Sequence, residues 1–289
     1  MADLRYEAPE TLGAAIALLA DAKGPAKVLA GGTDVIVQME TDLIEPELLV
    51  DIKKIPELRQ IKAEKGGFRV GAAVSGMDLV DHAAFAKAWP GVIDGVKLIG
   101  SIQVKGRASM GGNLCNASPA ADSVPPLVAA GAVATVIGPK GTREVPVEQI
   151  PTGPGKTSLA KGEIVVSFFF PRRPPRSGDA YQRFTPRTEM DIAVVGVGID
   201  LTLDKGGTCT AARVALGAVA PTVLLVKEAA DALIGTTVDD AVLEKLAKAC
   251  SAACKPIDDK RGTREFRIKI ACVLAKRVAQ QALERARQN

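Results

Sequence analysis

Aromatic side chains are scarce, at 3% of the 289 residues, with one Trp and two Tyr. Proteins that grip single-stranded nucleic acid stack bases on aromatic platforms, and this chain has too few to build one. Basic tracts are missing as well. The net charge is only +4 and the Lys and Arg residues are interleaved with acids, which argues against a polyanionic partner. No segment approaches the ~20 apolar residues of a membrane span. The N-terminal Met1-Ala2-Asp3-Leu4-Arg5 has an early acid and no apolar stretch behind it, so no signal peptide is expected. The five cysteines, Cys115, Cys209, Cys250, Cys254 and Cys272, are odd in number and contain no Cys-x-x-Cys. Disulfide frameworks and zinc sites need closer, more regular sets. Cys250 and Cys254 are one helical turn apart, a spacing able to hold a metal, but they read more simply as small buried residues of a reduced compartment. Histidine is scarcest of all. The single His82 sits beside Asp81 on an expected polar helix face and reads as a solvated surface residue, so general acid–base catalysis has no obvious carrier. These absences describe a soluble, cytoplasmic protein with neither nucleic acid nor membrane span.

What is present is apolar and aliphatic. The hydrophobic fraction of 47% rests on Ala, Val, Leu and Ile, enough for a substantial core in two or three domains of an α/β protein. Pro9 to Ala22 reads as a helix with Leu12, Ala15, Ile16 and Leu19 on one stripe. Lys27 to Ala30, Leu48 to Ile52 and Phe68 to Ala73 read as strands. Ser75 caps an expected helix running to Trp89, ended by Pro90-Gly91. Residues 100–126 are rich in Gly, Ser, Asn, Pro and Ala and predict a long ordered loop, poor in core, of the sort that is usually functional. Ala132 to Ile137 and Glu163 to Phe170 resume strand composition. Pro171 to Gly178 is the best domain boundary, because proline blocks both helix and central strand. Beyond it, alternation over Val195–Leu203 and Ala212–Ala218 predicts an antiparallel hairpin with one buried face, followed by helices over Val238–Ala253 and Arg264–Arg287. No internal repeat is visible.

Two glycine loops carry the chemistry: Ala30-Gly31-Gly32-Thr33-Asp34 and Ala108-Ser109-Met110-Gly111-Gly112-Asn113. Paired glycines let the backbone approach a ligand and align consecutive N–H groups. Thr33, Ser109 and Asn113 add side-chain donors, and a helix starting after the first loop would add its positive end. Two such loops face to face would suit a diphosphate, although either alone reads more readily as an ordinary turn. Other phosphate motifs fail. Gly155-Lys156-Thr157 resembles the end of a P-loop, but the glycine required five residues earlier is Ile150. No G-x-G-x-x-G follows a strand, so a Rossmann site is not supported.

The two loops, continued by Leu114 and by Asn116-Ala117-Ser118-Pro119-Ala120-Ala121-Asp122, closely resemble the FAD-binding (medium) subunit of molybdenum hydroxylases, the xanthine dehydrogenase and carbon monoxide dehydrogenase family. Arg183-Phe184-Thr185-Pro186-Arg187-Thr188-Glu189-Met190-Asp191-Ile192-Ala193 resembles that family's entry into its C-terminal domain. The resemblance spans nearly the whole chain. It implies an α+β fold: a two-subdomain FAD-binding module of the vanillyl-alcohol-oxidase-like (PCMH-type) class over residues 1–175, divided at about 56/57, then a C-terminal α+β domain over 179–289 with an antiparallel sheet and helices. It implies that Val28, Leu29, Ala30, Gly31, Gly32, Thr33, Asp34 and Val35, with Ala108, Ser109, Gly111, Gly112 and Asn113, wrap the FAD diphosphate. It implies further cofactor contacts at Ile99, beside the isoalloxazine, at Val165, near the adenine, and at Asp122 and Arg183. Read from the residues alone, Asp122 is equally a helix cap after Pro119. Thr33-Asp34 and Asn113 look more like the xanthine- and aromatic-hydroxylating branches than the carbon monoxide branch.

The same resemblance implies no catalytic or metal-ligating residue in this chain. Substrate would be oxidised in a molybdenum-cofactor large subunit, and electrons relayed by a small subunit with [2Fe–2S] clusters, whose grouped cysteine ligands this chain lacks. A dimer of heterotrimers is the expected assembly. Two other readings stay open: a stand-alone FAD-dependent oxidoreductase of the same fold, and a scaffold that binds partners but no flavin.

Overall fold

The computed structural model describes residues 4–188 and 190–289. Its first unit runs β1 (Arg5–Glu7), α1 (Leu12–Asp21), β2 (Ala26–Leu29), α2 (Val35–Glu40) and β3 (Leu48–Asp51). The three strands form a parallel sheet in the order β1-β3-β2. The central strand β3 is buried throughout, as parallel strands require. Helix α1 begins at Leu12 and not at Pro9, because the Thr11 hydroxyl accepts from Ala14 N–H and sets the cap there. Ala15 and Leu19 pack with Val50, Ile52, Ile55 and Leu58 into a small core that also takes in Ile164 and Val166.

The second unit comprises β4 (Ile61–Glu64), β5 (Gly67–Gly71), the helices α3 (Gly76–Asp81), α4 (Ala83–Ala88), α5 (Pro90–Lys97), α6 (Ile102–Lys105), α7 (Met110–Cys115) and α8 (Val124–Ala129), then β6 (Val133–Gly138), β7 (Gly141–Pro146), β8 (Pro151–Gly153), β9 (Lys156–Thr157) and β10 (Ile164–Pro171). Five of its strands make an antiparallel sheet in the order β4-β5-β10-β6-β7. The expected single helix from Ser75 to Trp89 is broken at His82. That residue is a half-buried cap, not a solvated one: its Nδ1 accepts from Phe85 N–H at 3.1 Å and its ring lies edge-on to Phe68. The helical run does end before Pro90, with α4 stopping at Ala88 and Trp89 as its cap, and Pro90 then opens α5 at its first position, where the missing N–H costs nothing. The expected core-poor loop over 100–126 is instead wound into short helices. Met110, Gly111, Leu114, Ala117 and Ala121 are buried there, since small residues allow the backbone to pack closely. A Cβ on Gly95 would lie 2.6 Å from the Asp122 carbonyl oxygen.

The third unit has β11 (Ser177–Phe184), β12 (Val195–Leu203), β13 (Cys209–Gly217), β14 (Leu224–Leu225), α9 (Lys227–Leu233), α10 (Asp240–Ala253) and α11 (Arg264–Gln288). The strands form an antiparallel sheet in that order. Asp239 and Thr263 cap α10 and α11 through their side chains. One face of the sheet packs on α11, as the alternation predicts. The opposite face is also covered at one end, because Gly198 and Gly217 admit the Pro125 turn of α8. Cys250 lies in this core, and the Cys254 thiol donates to the Cys250 carbonyl. Burial pushes both thiols up to about 12. Among the described residues no helix is long and apolar enough to cross a membrane.

Candidate functional site

A cleft of about 720 Å³ opens between the parallel sheet and the antiparallel sheet of the second unit. Both glycine loops line it. Its wall includes residues 28 and 30–35 from the β2–α2 turn, 108, 109 and 111–113 from the start of α7, and 99 and 165. The volume falls within the ~300–1,000 Å³ of ordinary ligand sites. Three of the expected contacts lie off this wall. Leu29 is 8% exposed and faces core. Asp122 and Arg183 are buried against each other as an ion pair.

The two loops differ in what they offer. In the first, the N–H groups of Gly32, Thr33 and Asp34 find no protein acceptor among the described residues, and all three residues line the cleft. Buried or half-buried amides are normally paired, and such an unpaired row calls for an anion or water. Gly31 is required because a Cβ there would run into the Arg107 carbonyl; the second loop lies directly on the first. Gly32 has φ +80°, in the left-handed region that glycine adopts without strain. Helix α2 has only six residues, so the loop amides, rather than a long helix dipole, supply the positive potential.

In the second loop the donors are side chains. Ser109 caps α7 by accepting from Gly112 N–H at 3.1 Å, and its hydroxyl hydrogen is left for the cleft. Asn113 Oδ1 accepts from the Ser123 N–H and hydroxyl at 3.2 and 2.7 Å, which turns its NH2 group into the donor. A Cβ on Gly112 would meet only Ser109 Oγ, at 3.3 Å, so this glycine presents bare backbone to the cleft. Donors on both sides with glycine backbone between them match the needs of a diphosphate. Apolar Ile99, Ile52, Ile164 and Val165 on the remaining wall suit flat rings.

Charge is managed behind the wall. Burial pushes the Asp122 carboxyl up to about 6, against the pull of Arg183 and of the Tyr181 hydroxyl, which donates to it at 2.9 Å. Asp122 does not cap α8: Ser123 holds the cap position. The Cys115 thiol lines the cleft, but burial raises it to about 12, which keeps it protonated and unreactive. Residue types alone did not point to Gln38 or Tyr181. The only available signal for Tyr181 was its position two residues before Arg183 on one strand face, and Gln38 had none.

A family described as "FAD binding domain in molybdopterin dehydrogenase" matches residues 2–173, and "CO dehydrogenase flavoprotein C-terminal domain" matches 180–282. The chain belongs to the FAD-binding medium subunits of the molybdenum hydroxylase family. This flavin subunit is 33% identical to the xanthine dehydrogenase FAD-binding subunit of Escherichia coli O157:H7 over 97% of its length and 96% of that protein's. It is 31% identical to the carbon monoxide dehydrogenase medium chain of Hydrogenophaga pseudoflava, covering 97% of each. Among solved structures, CO dehydrogenase from Oligotropha carboxidovorans superposes with a TM-score of 0.94 at 32% identity over 98% of each chain. Quinoline 2-oxidoreductase from Pseudomonas putida 86 does so with a TM-score of 0.91 at 28% identity, again over 98% of each. The flavin subunit is thus an oxidoreductase subunit with the expected α+β fold. The xanthine dehydrogenase and carbon monoxide dehydrogenase relatives match it at similar overall identity, 33% and 31%.

Proposed function

We propose that the flavin subunit binds FAD in this cleft and serves as the electron-transfer link of a multi-subunit molybdenum hydroxylase. The observation that carries this is the row of unpaired amides at Gly32, Thr33 and Asp34 facing the side-chain donors of Ser109 and Asn113. The diphosphate would be held between them, by residues 30–35 and by Ala108, Ser109, Gly111, Gly112 and Asn113. Val165 and the apolar wall would take the adenine end, and Ile99 would serve the isoalloxazine. Asp122 and Arg183 act from behind Asn113 and do not enter the cleft wall themselves. When bound, FAD supplies the redox chemistry, accepting electrons from the [2Fe–2S] clusters of a small partner subunit and delivering them to an external acceptor. The chain's own part is to bind and orient. The amides and glycines hold the anion, and the apolar walls exclude water from the rings. Substrate is oxidised in a separate molybdenum-cofactor subunit, and the complex is a cytoplasmic dimer of heterotrimers.

Gly112→Val tests the assignment of the cleft. It places a branched side chain where backbone now faces ligand, with Ser109 Oγ at 3.3 Å as the nearest protein atom. The expected result is a folded chain whose visible flavin spectrum is lost, and stoichiometric FAD in the folded variant would overturn the assignment. Affinity purification of the tagged subunit tests the assembly. Iron- and molybdenum-containing chains should accompany it, and a yellow chain recovered alone from its native cells would favour the stand-alone enzyme.

A further inference from the structure

The two glycine loops touch at two separated points. At one, Gly31 lies against the Arg107 carbonyl. At the other, three side chains form a chain of hydrogen bonds across the cleft mouth. Gln38 Nε2, on α2, donates to Asn116 Oδ1 at 2.8 Å, and Asn116 Nδ2, at the end of α7, donates to Asp34 Oδ1 at 3.1 Å. Asp34 occupies the cap position of α2 yet makes no side-chain cap bond, so its carboxylate is committed to the opposite loop and not to its own helix. Asn116 is the C-cap of α7 and is anchored there by its own N–H, which donates to Gly112 O at 2.9 Å. A carboxamide suits the middle of such a chain, since it accepts through Oδ1 on one side and donates through Nδ2 on the other.

We propose that Asn116 is a positioning residue for the cofactor, its carboxamide clasping the two glycine loops at the spacing that the diphosphate requires. The inference rests on the reading that those loops hold the FAD diphosphate. Without the clasp the Gly31 contact acts as a hinge, and the rows of donors separate at the Asp34 end. The clasp therefore governs the rate at which cofactor leaves more than the stability of the empty fold, because each of its three side chains is at the surface or only half-buried. The other titratable groups lining the cleft are Lys27, Cys115 and Glu163; they come from different elements and are unaltered in the variants below.

The test is FAD dissociation from the full chain, followed by flavin fluorescence after dilution into an excess of an FAD-specific apo-flavoprotein as a trap, with a thermal melt of each flavin-free form. Asn116→Ala should release FAD about tenfold faster, the factor expected from one net hydrogen bond, while the flavin-free melt stays at the wild-type value. Asn116→Asp sets a carboxylate against Asp34. It should hold FAD near pH 4, where carboxyls share protons, and lose it progressively as the pH rises to 7. Asp34→Asn combined with Asn116→Asp restores a donor and an acceptor, and should recover slow, pH-independent release. Wild-type protein that takes up no FAD would overturn the reading of the cleft and this inference with it. Wild-type protein that binds FAD, with all three variants releasing it at the wild-type rate, would overturn the clasp alone. A lowered flavin-free melt in Asn116→Ala with no rescue by the exchanged pair would also overturn it, since the residue would then be structural.

Discussion

At the scale of single residues, the paired glycines divide their labour in a way that their identity does not reveal. Gly111 faces protein: a Cβ there would collide with the Ala72 carbonyl, and its N–H donates to that same oxygen at 3.1 Å. Gly112 faces the cleft. Gly111→Ala should therefore lower stability by about 1–3 kcal/mol, the usual cost of forcing atoms into a packed site. Gly112→Ala should leave the melting temperature nearly unchanged, and equal melting of the two variants would sink the distinction. The sequence made both loops legible as a pair of ligand-binding turns. It could not say which glycine meets backbone and which faces the cleft, because that depends on Ala72 and Arg107, brought there by the fold. Asp122 shows the same limit. Its resemblance to a cofactor contact is plain in sequence, whereas its burial with Arg183 and Tyr181 depends on a strand of the C-terminal unit.

At the scale of elements, most strands were legible because aliphatic alternation and glycine turns are local signals. Two helical features were missed at small and constrained residues. The break before Pro90 is real, but Pro90 also starts α5, and residues 100–126 pack as helices whose small side chains are the means of packing. The hairpin of β12 and β13 shows the tertiary cause most clearly. Its glycines looked like the polar, open side of an alternating strand, but they form a groove for α8. A Cβ on Gly198 would lie 2.9 Å from the Pro125 backbone, one on Gly217 would lie 2.7 Å from Pro125 Cγ, and one on Gly196 would lie 2.5 Å from the Tyr181 hydroxyl. The two contacts with Pro125 seat α8, and through Ser123 they fix Asn113 in the cleft. Gly198→Val should therefore destabilise the chain by about 2 kcal/mol or more and loosen flavin as well. A variant with wild-type melting and wild-type FAD affinity would show that α8 can shift freely, contrary to this account.

At the scale of the whole molecule, the FAD-binding units and the C-terminal unit are joined by buried charge. Arg173 lies 4.5 Å from the centre of the Trp89 ring and serves two carboxylates, Asp179 at 2.7 Å and Asp200 at 3.1 Å. Arg285 of α11 reaches Asp94 of α5 and the Asp179 carbonyl. One guanidinium between two carboxylates is too little, and the result is a junction whose strength depends on pH. Burial, then the neighbouring Asp179, push Asp200 up to about 7 despite Arg173, and burial raises Asp179 as well. In the unfolded chain an Asp titrates near 3.9. The folded protein therefore holds protons that the unfolded chain has released, and stability must fall as pH rises through that interval. The contribution of Asp200 is complete below about pH 4 and is lost as the pH passes its folded value of about 7; Asp122, raised to about 6, acts in the same direction. The carboxyls that the fold lowers, Asp51, Asp191 and Asp259 among them, lose their contribution only as the pH falls into the acid range, outside this window. The flavin-free melting temperature should thus decline between pH 5 and 8. Asp200→Asn keeps a hydrogen-bond acceptor for Arg173 and removes the titration, so its decline should be visibly shallower, with the difference concentrated between pH 6 and 8. Parallel melting curves across that range would mean that Asp200 is ionised at pH 5 already, and that Arg173 satisfies both carboxylates after all.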